Sequence, residues 1–531
     1  MNKLRMSMVL YALAMLCGVA YGGSQDVNSH SFFSIRSPFQ SASPERVTLF
    51  RDAPLKNCDG YQGGLQAVVF GGKSTNSKAL ARYFLPFDKD TLIFANDDAP
   101  GSLVNGLANP NFRDVNAFFF NIQTVNNDFK STVKFRPHHS YVGLGLDWKQ
   151  YVGNCECGPK RWWFEVSFPI LHVRNEIKCT ETIQNQGITG FGVEGELVPG
   201  TELLVNDSVC EAFKGLKPFF DGSGNVVTGS GFKFGKIDGA KSRTGVADIE
   251  LKVGYDFAQE ECYHGDLYVG VVIPTGNKPK GEFVFEPIVG NNRHFALMWG
   301  GSFGYELWRS CDDTRDLRFE FEINGRYLFR NTQTRSFDLV DKSWSRYMLV
   351  FREFANSQNG TAEEGINVFT QKLHITPRYA QDFNFGLVYD WCDWQAELGY
   401  NFWARQSEKA KLKEPFSTTI TFPDVSGGTI AQAINRAITI KENFAGAILN
   451  IGAGDQALYN LNAWQESDLN LHSAVAPCAI SHIVYGSLGR SWDNWCGCWP
   501  LFAGIGGSYE FSSVNTAINR WMVWGKVGIS I

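Results

Sequence analysis

An all-β fold, a transmembrane antiparallel up-and-down barrel of about 12 strands (12 to 14), is predicted by three observations on this 531-residue chain. Apolar and charged residues alternate with a period of two over runs of ten or more residues, whereas strands of soluble sheets usually stop after about five or six. Beyond the leader, no stretch reaches the roughly 18 unbroken apolar residues of a membrane-spanning helix. A chain that crosses a bilayer without such helices must close its strands into a ring, because unpaired backbone groups in lipid cost several kcal/mol each. Finally, the connections between alternating segments fall into a short class and a long class that take turns along the chain, as in barrels with tight periplasmic turns and long outer loops.

The chain opens with "MNKLRMSMVLYALAMLCGVAYGG", in which Lys3 and Arg5 precede an apolar run from Met8 to Val19 and then small residues suited to cleavage. That is the pattern of a secretory signal peptide over 1–22. Residues 23–112 form an N-terminal segment that reads as a plug, a periplasmic extension or an extra hairpin, the last through the apolar run "LQAVVFGG". The barrel is expected over 113–531.

Strands are placed at 113–123, 129–152, 161–173, 246–257, 263–274, 294–308, 316–330, 366–390, 394–404, 480–490, 501–511 and 521–531. The segment from Asp316 to Arg330 is the clearest: Asp316, Arg318, Glu320, Glu322, Asn324 and Arg326 lie on one face, and Leu317, Phe319, Phe321, Ile323, Tyr327 and Phe329 on the other. "ADIELKVGYDF" and "YHGDLYVGVVIP" read as a hairpin with Leu251, Val253, Leu267 and Val269 on its apolar side. In 129–152 the parity of Val133 and Phe135 does not match that of Val142, Leu144 and Trp148, which predicts a bulge or an extension above the membrane. A soluble two-layer β protein is the alternative at the level of fold.

The last segment, "WMVWGKVGISI", places Trp521, Val523, Val527, Ile529 and Ile531 on one face and ends within the strand. Here the chain resembles bacterial outer-membrane β-barrel proteins of porin-like architecture, with Ile531 standing where those proteins usually end in Phe. The resemblance implies an outer-membrane location, lipid contact on the apolar face and an aqueous lumen on the other. Trp308, Trp391, Trp394 and Trp499, then Phe329, Phe402 and Trp521, are the expected interfacial girdles.

Asp248, Glu250, Lys252, Asp266, Arg318, Glu320, Glu322, Arg326 and Glu397 fall on the lumen parity and are the candidate pore-lining residues. They point to a channel for passive diffusion of small hydrophilic solutes or ions. The alternative is a structural or adhesive barrel using the long loops 174–245 and 406–479. A formal net charge of -5 argues against nucleic acid as a partner. "FGGKST" at 70–75 lacks the leading Gly of a phosphate loop, since Ala67 stands there, and reads as a turn. His264 and Asp266 make the best acid-base pair, but the pattern places no activated Ser or Cys beside them, so no catalytic role, cofactor or metal is expected. "GTIAQAINRAITI" has helical spacing and is a candidate constriction.

Cys155, Cys157, Cys262, Cys311, Cys392, Cys496 and Cys498 are confined to the five short turns and are the disulfide candidates. Cys-x-Cys spacing without partner histidines does not fit zinc, whereas an oxidising envelope favours disulfides. These turn cysteines suggest a homo-oligomer or a Cys-rich envelope partner, a design similar to that of chlamydial major outer-membrane proteins.

Overall fold

The computed structural model describes residues 29–531 except 56–60, 105–106, 110–111, 155–160, 191, 194–195, 218–230, 261, 353–360, 417–419, 422–465, 496–498 and 515–517. Its centre is a closed antiparallel ring of twelve strands. In chain order these are β1 (Tyr61–Ser74), β2 (Lys130–Asn154), β3 (Arg161–Asn185), β4 (Ile249–Gln259), β5 (Tyr263–Ile273) and β6 (Ala296–Arg309). They continue as β7 (Arg315–Leu328), β8 (Arg378–Trp391), β9 (Trp394–Arg405), β10 (Ala479–Trp495), β11 (Trp499–Val514) and β12 (Arg520–Ser530). Each pairs with its chain neighbours, and β1 closes the ring on β12 with Phe70 opposite Trp524.

The alternation has the physical meaning the sequence assigned to it. Leu398 is 71% exposed and Val269 66%, while Glu397 is 3% and Glu320 1% exposed. Apolar side chains therefore face outward and charges inward, the inverse of a soluble barrel, and this is a transmembrane β-barrel. Trp308, Trp394 and Trp499 stand exposed at the short-turn end. Phe329 and Trp521 do so at the other.

Three strand expectations are corrected. No barrel strand lies at 113–123: Val115–Asn116 is a two-residue strand outside the ring and Ala117–Phe120 a 3-10 turn whose Phe119 and Phe120 are buried. The barrel begins instead at Tyr61, so 23–112 contributes a full strand and the boundary at 113 is displaced. The segment 366–390 is not one strand. Thr370–Thr376 joins a separate three-stranded sheet, and β8 starts after Pro377, which has no N–H to continue a ladder, at Arg378 with φ +70°.

The parity conflict in β2 is resolved without a bulge, since its pairing with β3 runs in register from Ser131 to Val152. What changes is the surroundings. Near the short turns, Val142 and Trp148 meet lipid on the outer face; farther up, the inner-face residues Val133 and Phe135 are buried in an apolar core. That core is a cap built by the long connections, with Phe84, Phe94, Phe120, Phe213, Trp344 and Phe369 at its centre. Trp344 Nε1 donates to Phe84 O (3.0 Å), and a disulfide ties Cys179 on β3 to Cys210 in the helix Val209–Lys214. The candidate helix in 425–440 lies outside the described residues.

Candidate functional site

Residues 29–55 run down the interior of the barrel. At the cap end, His30 N donates to Tyr83 O (3.0 Å), Ser31 N to Ser473 O (2.8 Å), and Ser29 Oγ to Asp338 (3.0 Å). At the short-turn end the segment reaches the 3-10 turn Ala53–Leu55, just before β1. Between these points its only regular element is the turn Pro44–Val47, with Pro44 at the first helical position, where a missing N–H costs nothing. Phe39, Ala42 and Leu49 take left-handed φ values of 61°, 61° and 64°. Such non-glycine conformations cost about 1 kcal/mol each and persist only where surroundings impose them.

The wall imposes them. Phe39 sits on Gly145, where an added Cβ would come within 2.4 Å of its ring, and Leu49 sits on Gly489 and Gly504, at 2.2 Å. Glycines on the inner face thus act as sockets for the apolar side chains of the plug. Its cations meet carboxylates. Arg46 Nε is 2.7 Å from Asp147, its Nη1 is 2.6 Å from Glu250, and its Nη2 pairs with Glu165. Arg51 bridges Glu322 (2.7 Å) and Glu397 (2.6 Å), and Arg36 bridges Asp382 (2.5 Å) and Asn401 (2.9 Å). Lys526 on β12 donates to the carbonyls of Arg46 and Thr48. These contacts span opposite sides of the ring, so the segment is held from all around.

All nine residues assigned to the lumen lie on the inner face, but the structure brings most of them to the plug or to each other. Glu250 accepts from Arg46, from Ser41 (2.7 Å) and from Arg326 (2.5 Å). Lys252 pairs with Glu165 (2.9 Å), and Arg318 with Asp52 and Asp390 (2.7 Å each). Asp248 accepts from the Asn291 backbone (2.7 Å), Asp266 from Ser302 (2.5 Å), and Glu320 lies 3.3 Å from His264. His264 and Asp266 are therefore directed to different partners. Sequence reasoning missed Arg36, Arg46 and Arg51. The available signal was the excess of inner-face acids, Asp147, Glu165, Glu250, Glu322 and Glu397, which a folded barrel must neutralise.

Beside the lower part of the plug, between Arg46, Arg51 and the wall toward the short-turn end, lies a polar cavity of about 330 Å³. Lys149, Trp163, Asp256, His264, Asp266 and Arg318 are among its lining residues. Lys149 Nζ stands 4.2 Å from the Trp163 ring. Of the disulfide candidates, Cys262, Cys311 and Cys392 are unpaired and exposed on the short turns. Cys155, Cys157, Cys496 and Cys498 lie outside the described residues. The bond that does form, Cys179–Cys210, was not anticipated, because β3 was expected to end at 173.

No family model matches the sequence. No curated protein matches it either. Among solved structures it is similar to an outer membrane channel from Pseudomonas putida F1 (8% identity, 88% of this chain and 96% of that one, TM-score 0.35). It is likewise similar to the transport unit of the autotransporter AIDA-I from Escherichia coli (7% identity, 88% and 89%, TM-score 0.31). A third is a Pseudomonas aeruginosa FadL homologue (8% identity, 90% and 91%, TM-score 0.27).

Proposed function

We propose that this chain is an exported outer-membrane channel for small hydrophilic solutes or ions, with its long loops outside the cell, and that residues 29–55 are its resident gate. The observation that carries this reading is the ion-paired seating of Arg36, Arg46 and Arg51 against inner-wall carboxylates on β2, β3, β4, β7, β8 and β9. A permanently closed barrel is served better by an apolar filling, since buried ion pairs offset their desolvation only partly. Ion pairs in a hydratable lumen, by contrast, separate without leaving bare charge, because water replaces each partner. With the plug displaced, Asp147, Glu165, Glu250, Glu322, Asp382 and Glu397 lose their cations, so the open lumen prefers cations.

Recording from purified protein in planar bilayers tests this. Discrete openings with a cation-selective reversal potential are expected, more frequent when residues 29–55 are deleted. Silence of both proteins, with insertion verified, would discard the channel reading. A second reading, a structural barrel that never conducts, is favoured by the apolar cap over the long-loop end. It requires that the intact protein remain closed under every voltage and solute gradient.

A further inference from the structure

The outer face of the barrel carries one arc unlike the rest. Along one hydrogen-bonded row, Arg174 on β3 lies opposite Ser140 on β2, Ser140 opposite Lys73 on β1, Lys73 opposite Trp521 on β12, and Trp521 opposite Tyr509 on β11. At Trp521 and Tyr509 the row has the exposed aromatics of an interfacial girdle. Phe295, Phe329 and Tyr379 continue that aromatic character on other strands. From Lys73 to Arg174 exposed cations take its place.

The position of the arc relative to lipid follows from the register. Two residues down each strand, the next outward row includes Val523, Gly71 and Val142, and the row beneath it Val69, Leu144 and Ile170. Val523, Val142, Val69 and Ile170 are exposed apolar side chains. Upward, β2 and β3 continue above the apolar band, and the same face presents Arg136 opposite Lys178, with Lys134 beyond. Lys73, Lys134, Arg174 and Lys178 are exposed and make no ion pair among the described residues. Arg136 is paired with Asp90 at 2.7 Å. Between Arg174 and Lys178 the same outward face carries Glu176 opposite His138, so the arc holds one acid among its five cations.

We infer that this arc is a binding site for a phosphate-bearing lipid of the outer leaflet, its acyl chains lying on the Val69, Val142 and Ile170 surface and its phosphates reaching Lys73, Arg174 and Lys178. The inference rests on the outer-membrane placement above but not on transport. Lys73 and Arg174, two strands apart, stand about 10 Å from one another, and Lys178 lies two outward positions above Arg174, about 13 Å away, so the site suits a headgroup with more than one phosphate. Continuity with the lipid-facing surface selects a lipid over a soluble anion, because the same molecule then satisfies both the charges and the apolar band.

The test uses the full chain in detergent micelles with bis-phosphorylated lipid A as probe, read by native mass spectrometry and by a salt titration. Salt-sensitive binding is expected, weakened about tenfold or more in Lys73→Gln/Arg174→Gln/Lys178→Gln, with Lys214→Gln/Lys233→Gln in the cap as a control that binds normally. Electrophoretic heat-modifiability verifies that each variant is folded. Equal binding by the triple variant, equal binding of dephosphorylated lipid A, or competition by inorganic phosphate at concentrations near that of the lipid would each overturn the assignment. A silent channel in bilayers would leave it standing, since the two readings rest on different faces of the wall.

Discussion

Arg46 Nη1 lies 2.6 Å from Glu250 Oε2, and this pair fastens the plug to β4 at the point where Arg326 also reaches Glu250 from β7. Arg46 is 2% exposed and serves three carboxylates at once, so its removal leaves buried negative charge on β2, β3 and β4. Stranding a buried partner typically costs about 3–5 kcal/mol. Arg46→Gln is therefore expected to raise the frequency of open-channel events in planar bilayers while the barrel itself stays resistant to detergent. If the variant gates like the parent protein, Arg46 is not a latch.

The glycine sockets predict a different route to the same loosening. The three atoms nearest a Cβ at Gly145 all belong to the Phe39 ring, at 2.4–2.5 Å, so Gly145→Val collides with the plug. Overpacking of this kind costs about 1–3 kcal/mol. Limited proteolysis should then cut within 29–55 faster, and adding Phe39→Ala should restore protection. A double variant as labile as the single one would show that the clash is not with Phe39.

How much of this was legible depends on what each strand faces. Where the inner residues meet charge, as in β7, the period of two survives in the sequence, and the strand and its parity are legible there. Where they meet the apolar part of the plug, the pattern fades. In β1 the inward Val68 and Phe70 pack with Phe39, so "LQAVVFGG" shows no alternation and reads from sequence as no more than one option, an extra hairpin. Ile483 and Tyr485 of β10 belong to the same cluster, so apolar residues occupy the inner parity there as well. The plug has no periodicity because its conformation is imposed by the wall. Arg46 is ordinary in its own neighbourhood and becomes informative only beside residues a hundred or more positions away.

Acid should loosen the cap. Just above β6, His294 Nδ1 donates to Phe329 O (2.7 Å) and its Nε2 accepts from Gln333 (2.8 Å), which fixes the neutral imidazole. Burial, followed by the nearby charges of Arg335 and Lys278, pushes its pKa down to about 4 against the opposing pull of Glu408. The folded state thus binds fewer protons than the unfolded chain between about pH 6.5 and 4, so this stability is complete above that window and is lost on descending through it. The loss amounts to about 3 kcal/mol at most. Melting followed by tryptophan fluorescence at pH 7, 5.5 and 4 should show the decline. His294→Gln, which cannot titrate, should flatten part of it; an unchanged slope would assign the pH dependence to other groups.

The short-turn rim is expected to cross-link. Cys262, Cys311 and Cys392 are exposed thiols on the turns after β4, β6 and β8. Those turns touch: Glu306 N donates to Cys262 O (2.8 Å), and Cys392 N to Thr314 O (2.9 Å). Among the described residues these three thiols on one arc of the rim are unpaired, although a local bond needs Cα atoms only within about 7 Å. Exposed thiols in an oxidising envelope do not persist when an oxidised donor can exchange with them, so a bond to a second copy or to another Cys-rich protein is the expected outcome. Membranes prepared with a thiol-blocking reagent and run without reductant should show oligomers that collapse on reduction. Cys262→Ser/Cys311→Ser/Cys392→Ser should abolish them, whereas Cys179→Ser/Cys210→Ser, at the opposite end of the barrel, should not. A monomer in which all three turn thiols are found blocked rather than oxidised would end the idea.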